Sequence, residues 1–444
     1  MRRDTSDDRK DKVIMKPDPS AALDLADFIA SAPSPFHVTA EVGRRLAAAG
    51  FSPVRAGTEA GDGQGAREYL VRDGAVIAWS VPPRVSEDTP VRVVAAHTDS
   101  PVLKVKPRPD TGRAGWRQVG VEVYGSPLFN SWLDRDLGIA GRLVLADGTT
   151  VLVNVARPLL RVPQLAPHLH RGVNANGLTL DPQLHLTPVW GTGDVREGDL
   201  VEFLAGEAGV AADSVAAHDL VLHDVTPPAQ LGRDGELMAA PRLDNLSSAH
   251  GGLSAFLSAS EQPPADGAIL LYAAFDHEEV GSETLSGAGG PLLDFVLRRV
   301  WPAYGLPLPP GSPAVTGSFC LSADAAHAAH PNYLEVHEPE HRSIAGGGPV
   351  LKLNASQRYP TDAVGSAAWT RACEQAGVPS QVFVGRNNVA CGSTIGPVIS
   401  ARTGIRTLDV GIPILSMHSA RELCGTADPG YLAAACAAFL APAR

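Results

Sequence analysis

The chain is predicted to be an α/β protein, a mixed sheet flanked by helices and interrupted by an inserted, mostly β domain. Three observations predict it. The first and last parts of the chain alternate apolar strand-like runs with helical periodicity, the pattern of a sheet covered on both faces. The stretch between them carries short β-like runs separated by Gly, Pro and Asp, with little helical period. At 444 residues, 44% of them hydrophobic, the chain is long enough for more than one domain with its own core.

In order, residues 1–20 are charged, lack an apolar run and read as a disordered tail rather than a secretory signal. Residues 21–99 form the first part of the α/β domain. LDLADFIASAP and VTAEVGRRLAAAG are helical, with Gly50 closing the second run, and 68–80 and 91–96 are strands. Residues 100–239 form the insert, with VGVEVYG, GRLVLADG, TVLVNVA, DLVEFL and HDLVLHDV as its β-like runs. Residues 240–444 return to the α/β pattern. LDNLSSAHGGLSAFLSA is a helix, AILLYAAF a strand, DFVLRRVW a helix and SFCLSA a strand. TDAVGSAAWTRACEQAG is a helix, QVFVG and RTLDVG are strands, and DPGYLAAACAAFLA is the last helix.

Composition narrows the partners. Lys and Arg number 37 against 48 Asp and Glu, a net charge of −11, which argues against nucleic acid or an anionic membrane. No apolar stretch approaches the ~18 residues of a membrane span. Five scattered cysteines with no C-x-x-C pair suit a reduced, cytoplasmic chain.

Chemistry concentrates where apolar strands stop. VRVVAAHTDSP ends a buried run at His97-Thr98-Asp99. Positions i and i+2 of a strand project to one side, so His97 and Asp99 point together, and a carboxylate there can orient a ligating imidazole. AILLYAAFDHEEVGS ends in Asp276-His277-Glu278-Glu279. Adjacent carboxylates divide into two tasks, one binding a metal and the other taking a proton. Asp244 before a helix, Asp324 after a strand and His418 after an apolar run and before an expected helix sit at similar junctions. Each of these three alone also fits a structural role, such as an N-cap for Asp244. His327 and His330 read as helix or loop residues outside the set. Together His97, Asp244, Glu278/Glu279, Asp324 and His418 make a mixed N/O donor set suited to zinc, and enough donors for two ions if one carboxylate bridges. HEEVG is not H-E-x-x-H, and neither a phosphate-binding loop nor a G-x-S-x-G elbow is present.

The motifs HTDSPVLKVKP, QVGVEVYG, SWLDRDLGIAGR, RLDNLSS, FDHEEVGS, SADAAHAAHPNY, SQRYP, GSTIGP and LDVGIP-x-x-x-MHSARE, in this order, resemble those of the aspartyl aminopeptidase family, which includes fungal vacuolar aminopeptidases. The resemblance runs from about residue 21 to the end. It implies an exopeptidase with two Zn²⁺ per subunit, one held by His97, Asp244 and Asp324, the other by Asp244, Glu279 and His418. Glu278 is the implied general base and Asp99 the support of His97. It implies that the insert is a dimerisation domain of a homododecamer built from dimers, with His168 completing a neighbour's site and touching substrate. It implies peptide substrates with a free acidic N-terminus, met by Lys352 and Tyr359. Arg386-Asn387-Asn388 departs from the family's R-N-D or R-S-D. A preference for neutral N-termini, a metal-dependent amidase or deacylase, and an assembly or cargo protein with a degenerate site are the rival expectations.

Overall fold

A computed structural model describes residues 19–54 and 65–443. Most of the expected N-terminal tail, residues 1–18, lies outside them. The first helix, Pro19–Ser31, takes in the last two residues of that expected tail.

The main sheet has nine strands. At its centre Ile269–Phe275, Val91–His97, Phe319–Ala323 and Arg406–Gly411 run parallel to one another in that order. Ala75–Ser80 joins one side antiparallel to Ile269–Phe275, and Val350–Leu353 joins the other antiparallel to Arg406–Gly411. Alternating side chains of one strand enter two different cores. Val94, Ala96, Leu270, Tyr272 and Ala274 pack under the helices Pro19–Ser31, Leu243–Glu261, Ala363–Ala376 and Asp428–Leu440. Val93, Ala95, Leu271, Ala273 and Phe275 pack against Leu292–Val300 and Ile395–Thr403. Two buried faces explain why these strands are apolar throughout, and each fully buried Val, Leu or Phe adds about 1.5–3 kcal/mol.

The parallel register is what builds the site. Phe275 pairs with His97, and Ala323 pairs with Val410. The carboxyl ends of the four strands therefore lie along one edge, where α/β sheets place their ligands.

The insert is a six-stranded sheet with its own core, built from strands between Val102 and Asp224. Two expectations change here. The strands Ala229–Leu231 and Leu237–Ala240, placed in the insert by the 100–239 boundary, belong elsewhere. They pair with each other, and the second pairs with Glu422–Gly425, in a five-stranded sheet beside the main one. DLVEFL, expected as a strand, opens the helix Asp199–Ala208. Leu200 and Leu204, one helical turn apart, are both fully buried in the insert core. Left-handed Gly198 and Gly209 bracket the helix, and Asp199 and Glu202 sit in its first turn.

Candidate active site and metal centre

Six side chains from five segments converge at the sheet edge. His97 is the last residue of its strand, Asp324 follows Phe319–Ala323, and Glu278 and Glu279 form a single 3₁₀ turn after Ile269–Phe275. Asp244 sits where the Leu243–Glu261 helix begins, but its backbone and that of Asn245 are non-helical, so it does not cap the helix. His418 lies in a loop with left-handed backbone, φ 67°. It is followed not by a helix but by the strand Glu422–Gly425, because Glu422 and Cys424 are drawn into the interior.

These side chains meet as two half-sites. His97 Nε2 is 3.4 Å from Asp244 Oδ1 and 3.5 Å from Asp324 Oδ2. His418 Nε2 is 3.4 Å from Asp244 Oδ2 and 3.5 Å from Glu279 Oε2. Asp244 thus offers one oxygen to each half. Two donors bound about 2.0–2.1 Å from one tetrahedral zinc stand roughly 3.4 Å apart, so each half has a suitable spacing. Asp244 Oδ1 and Glu279 Oε1 are buried and accept no hydrogen bond, which is costly for carboxylates unless a cation takes the place of donors. Burial raises the Glu279 pKa well above the carboxylate range, and the charges of Asp244 and Asp99 raise it further. Burial opposes protonation of His97, but Asp244, Asp324 and Asp99 outweigh it and raise its pKa. The same negative field favours a bound cation, and the donor set fits zinc.

Asp99 is buried behind this edge. Its Oδ1 accepts from the Glu278 N–H at 3.1 Å and faces His97 Nδ1 at 3.3 Å. Its Oδ2 accepts from the Glu279 N–H at 3.1 Å and the Tyr124 hydroxyl at 2.7 Å. It is therefore a positioning residue for the imidazole and for both glutamates. Sequence reasoning missed a second one. Buried Glu422 accepts the Asp244 N–H at 2.9 Å and the His418 N–H at 2.8 Å, so one carboxylate holds the backbone of two donors. An acid four residues after His418 was the available signal. Tyr124, at the end of the VGVEVYG strand, was missed as well.

A cavity of about 530 Å³ opens onto the five donors and Glu278. Glu278 Oε2 lies 3.9 Å from His97 Nε2. Burial pushes its carboxyl up to about 8; His97 acts against the shift, and Asp324, Asp99 and Asp244 add to it. Lys352 and Tyr359 line this chamber. Lys352 is 1% exposed, and its ammonium already donates to Asp324 Oδ1 at 2.9 Å and to the Ala325 carbonyl at 3.2 Å. It also lies 4.9 Å from the Tyr359 ring centroid. Its ammonium is thus paired with Asp324, one of the converging carboxylates. His327, set aside by the sequence reading, is in a short strand and lines the chamber, while His330 does not. His168 is exposed in an insert loop and forms no part of the chamber wall of its own chain.

A paired-donor centre at the carboxyl edge of an α/β sheet, with an unligated glutamate beside it, defines a metallohydrolase. The profile of the aminopeptidase I zinc metalloprotease family (M18) matches residues 28–440. The chain is 55% identical over 424 residues to a probable M18 family aminopeptidase 2 of Streptomyces coelicolor, covering 94% of this chain and 97% of the relative. It is 46% identical over 428 residues to the protein of the same name in Mycobacterium tuberculosis, covering 95% and 98%. Among solved structures, the mApe1 dodecamer of S. cerevisiae superposes with a TM-score of 0.81 at 27% identity, covering 95% of this chain and 96% of that one. The M18 aminopeptidase of Thermotoga maritima gives 0.82 at 24% identity with 98% of each chain covered, a likeness of fold. The chain belongs to the M18 family and is a zinc aminopeptidase.

Proposed function

We propose that the protein removes acidic residues, Asp or Glu, from the N-termini of peptides, using two zinc ions and Glu278 as general base. The observation that carries the two-ion reading is Asp244, whose two oxygens face His97 and His418 separately at 3.4 Å. His97, Asp244 and Asp324 would hold one ion, and Asp244, Glu279 and His418 the other. When bound, zinc supplies Lewis acidity that polarises a peptide carbonyl and lowers the pKa of water.

The chain's own residues do the rest. Glu278 takes a proton from the water that attacks the first peptide carbonyl. As the C–N bond breaks, Glu278 returns that proton to the leaving amine. Chamber carboxylates receive the free α-amino group, which limits cutting to the N-terminus. Asp99 keeps Glu278 in place through its main-chain N–H. His168 acts on the site of a neighbouring copy, a reading supported by its exposure in an insert loop and by its taking no part in the chamber wall of its own chain. The assembly is a homododecamer built from dimers through the insert, in line with the dodecameric S. cerevisiae neighbour. A cytoplasmic setting is supported by five free cysteines. Among the described residues no helix is long and apolar enough to cross a membrane.

The acidic preference comes from the motif resemblance. A preference for neutral N-termini is the second reading, favoured by the apolar residues Phe383, Val384 and Ile414 around a cavity next to the chamber. Cleavage of Asp-, Glu-, Leu- and Lys-anilides, with and without chelator, separates the two. Glu278→Gln is expected to fold and hold zinc yet lose about 10²–10⁴-fold in turnover; full activity in that variant removes Glu278 from its role.

A further inference from the structure

The two histidines of the metal centre are oriented from different lobes. His97 Nδ1 donates to the Asp99 main-chain carbonyl at 3.0 Å, inside the body. Asp324 is tied to the body as well, through its N–H to the Val410 carbonyl at 2.8 Å and through Oδ1 to Lys352 at 2.9 Å. His418 is held by the insert. Its Nδ1 donates to the Ser126 carbonyl at 3.0 Å, and its own carbonyl accepts the Leu128 N–H at 2.9 Å. These two bonds, with the Glu422 carboxylate on the His418 N–H, fix a left-handed backbone that a non-glycine residue seldom adopts. A carbonyl only accepts, so Ser126 keeps a proton on Nδ1 and leaves Nε2, which faces Asp244 and Glu279, as the nitrogen for a metal. The same segment touches a second donor of that half-site. Gly125 has φ 70°, and a Cβ there would stand 3.1 Å from Glu279 Cβ and 3.4 Å from Pro101. Ser126 also brings the insert to the chamber wall.

We propose that the insert segment Gly125–Leu128 is a positioning element for one of the two ions, the one that Asp244, Glu279 and His418 would hold, and that the other ion does not depend on it. The proposal rests on the two-ion reading. It makes half of the centre answer to a lobe that supplies none of the six converging side chains. Groups that orient a ligating histidine from behind are worth about 10- to 100-fold in metal affinity. The ion at His418 should therefore load fully only when the insert is seated against the body, and its occupancy follows whatever holds the insert there.

The test is zinc titration of the full-length protein against a chromogenic chelator, for the parent, Leu128→Pro, Leu128→Ala and Gly125→Ala. Leu128 has φ −72°, which proline adopts, so Leu128→Pro deletes the N–H and keeps the path of the chain. The Leu128 side chain is 45% exposed, so Leu128→Ala is the control that keeps the N–H. The parent should bind two equivalents. Leu128→Pro should weaken one of them about 10- to 100-fold and leave the other within about twofold, while Leu128→Ala titrates as the parent does. Gly125→Ala strains a left-handed position and crowds Glu279, so it should weaken the same equivalent, and it carries the test if the proline variant does not fold. His418→Ala should keep one equivalent, and adding Leu128→Pro or Gly125→Ala to it should change that affinity by less than about twofold. A parent that binds one ion overturns the two-ion reading and this assignment with it. Two equivalents in the parent, with neither weakened or both weakened alike in Leu128→Pro and Gly125→Ala, overturn the assignment alone. A further loss in the His418→Ala background does the same. A Leu128→Ala curve that matches Leu128→Pro also overturns it, because the side chain rather than the main chain then carries the effect.

Discussion

Replacing Asp99 by Asn tests whether the buried carboxylate behind the sheet edge positions the catalytic groups. Asp99 is 1% exposed and its two oxygens face four donors, namely His97 Nδ1, the Glu278 and Glu279 N–H groups and the Tyr124 hydroxyl. Asparagine keeps the shape but turns one oxygen into an NH₂ group. Each oxygen serves one glutamate N–H, so either amide orientation sets NH₂ against a main-chain donor. One buried N–H left without an acceptor costs about 1–3 kcal/mol, and exchanging charged for neutral acceptance costs about 1 kcal/mol more. The sum predicts a loss of about 2–4 kcal/mol in the metal-free protein, read from urea unfolding. His97 Nδ1 keeps its 3.0 Å bond to the residue-99 main-chain carbonyl but loses the carboxylate charge 3.3 Å away, and the two glutamate N–H groups lose a common anchor, so zinc affinity should fall about 10- to 100-fold, read by competition with a chromogenic chelator. A variant with the parent's urea midpoint and the parent's zinc affinity would refute the positioning argument.

Further predictions concern the same centre and the seam behind it. Glu422→Gln should weaken zinc binding about 10- to 100-fold by setting an NH₂ group against the main-chain N–H of either Asp244 or His418, and an unchanged chelator competition curve would contradict this. Zinc should stabilise the protein by about 2.7 kcal/mol per site at a free concentration about 100 times its Kd, so calorimetry before and after chelation should show a drop in Tm. An unchanged Tm would argue against a preformed site. Burial, helped by the Arg242 charge, lowers the His223 pKa from 6.5 to about 3. The folded state therefore keeps His223 neutral, its contribution is intact above pH 6.5, and stability is lost at about 1.4 kcal/mol per unit as pH falls from there toward 3. His223→Gln should flatten the acid limb of a plot of urea midpoint against pH by one proton, leaving the part due to His37, whose pKa burial likewise lowers, to about 4. Identical limbs would reject the assignment.

Much of the centre was legible because its residues sit at strand ends. His97, Glu278, Glu279 and Asp324 follow apolar runs abruptly, and a parallel sheet gathers such ends on one edge. Asp244 and His418 became readable through long motifs, since alone each resembles an ordinary junction residue. What escaped depended on contacts that no local pattern encodes. Glu422 reads as a surface acid until its strand is seen pairing with Leu237–Ala240. Lys352 reads as a free cation until its cross-strand place beside Asp409, and its reach to Asp324, are known. The far boundary of the insert was misplaced because the strands 229–231 and 237–240 have the same texture as insert strands and differ only in their partners. DLVEFL misled because six residues with apolar positions fit both periods, and Leu200 and Leu204 decide it only through their shared burial.

The Tyr124–Asp99 contact joins the two lobes at a sensitive point. Tyr124 ends an insert strand, and the carboxylate it touches also grips the turn from which Glu278 hangs. A tilt of the insert against the body, from crowding, docking or a cut in its loops, would therefore reach the Glu278 turn through this phenol, alongside the contacts of Ser126 and Leu128 with His418. Turnover can then falter while both lobes remain folded, and a subunit eased out of its proper posture would idle before it melts.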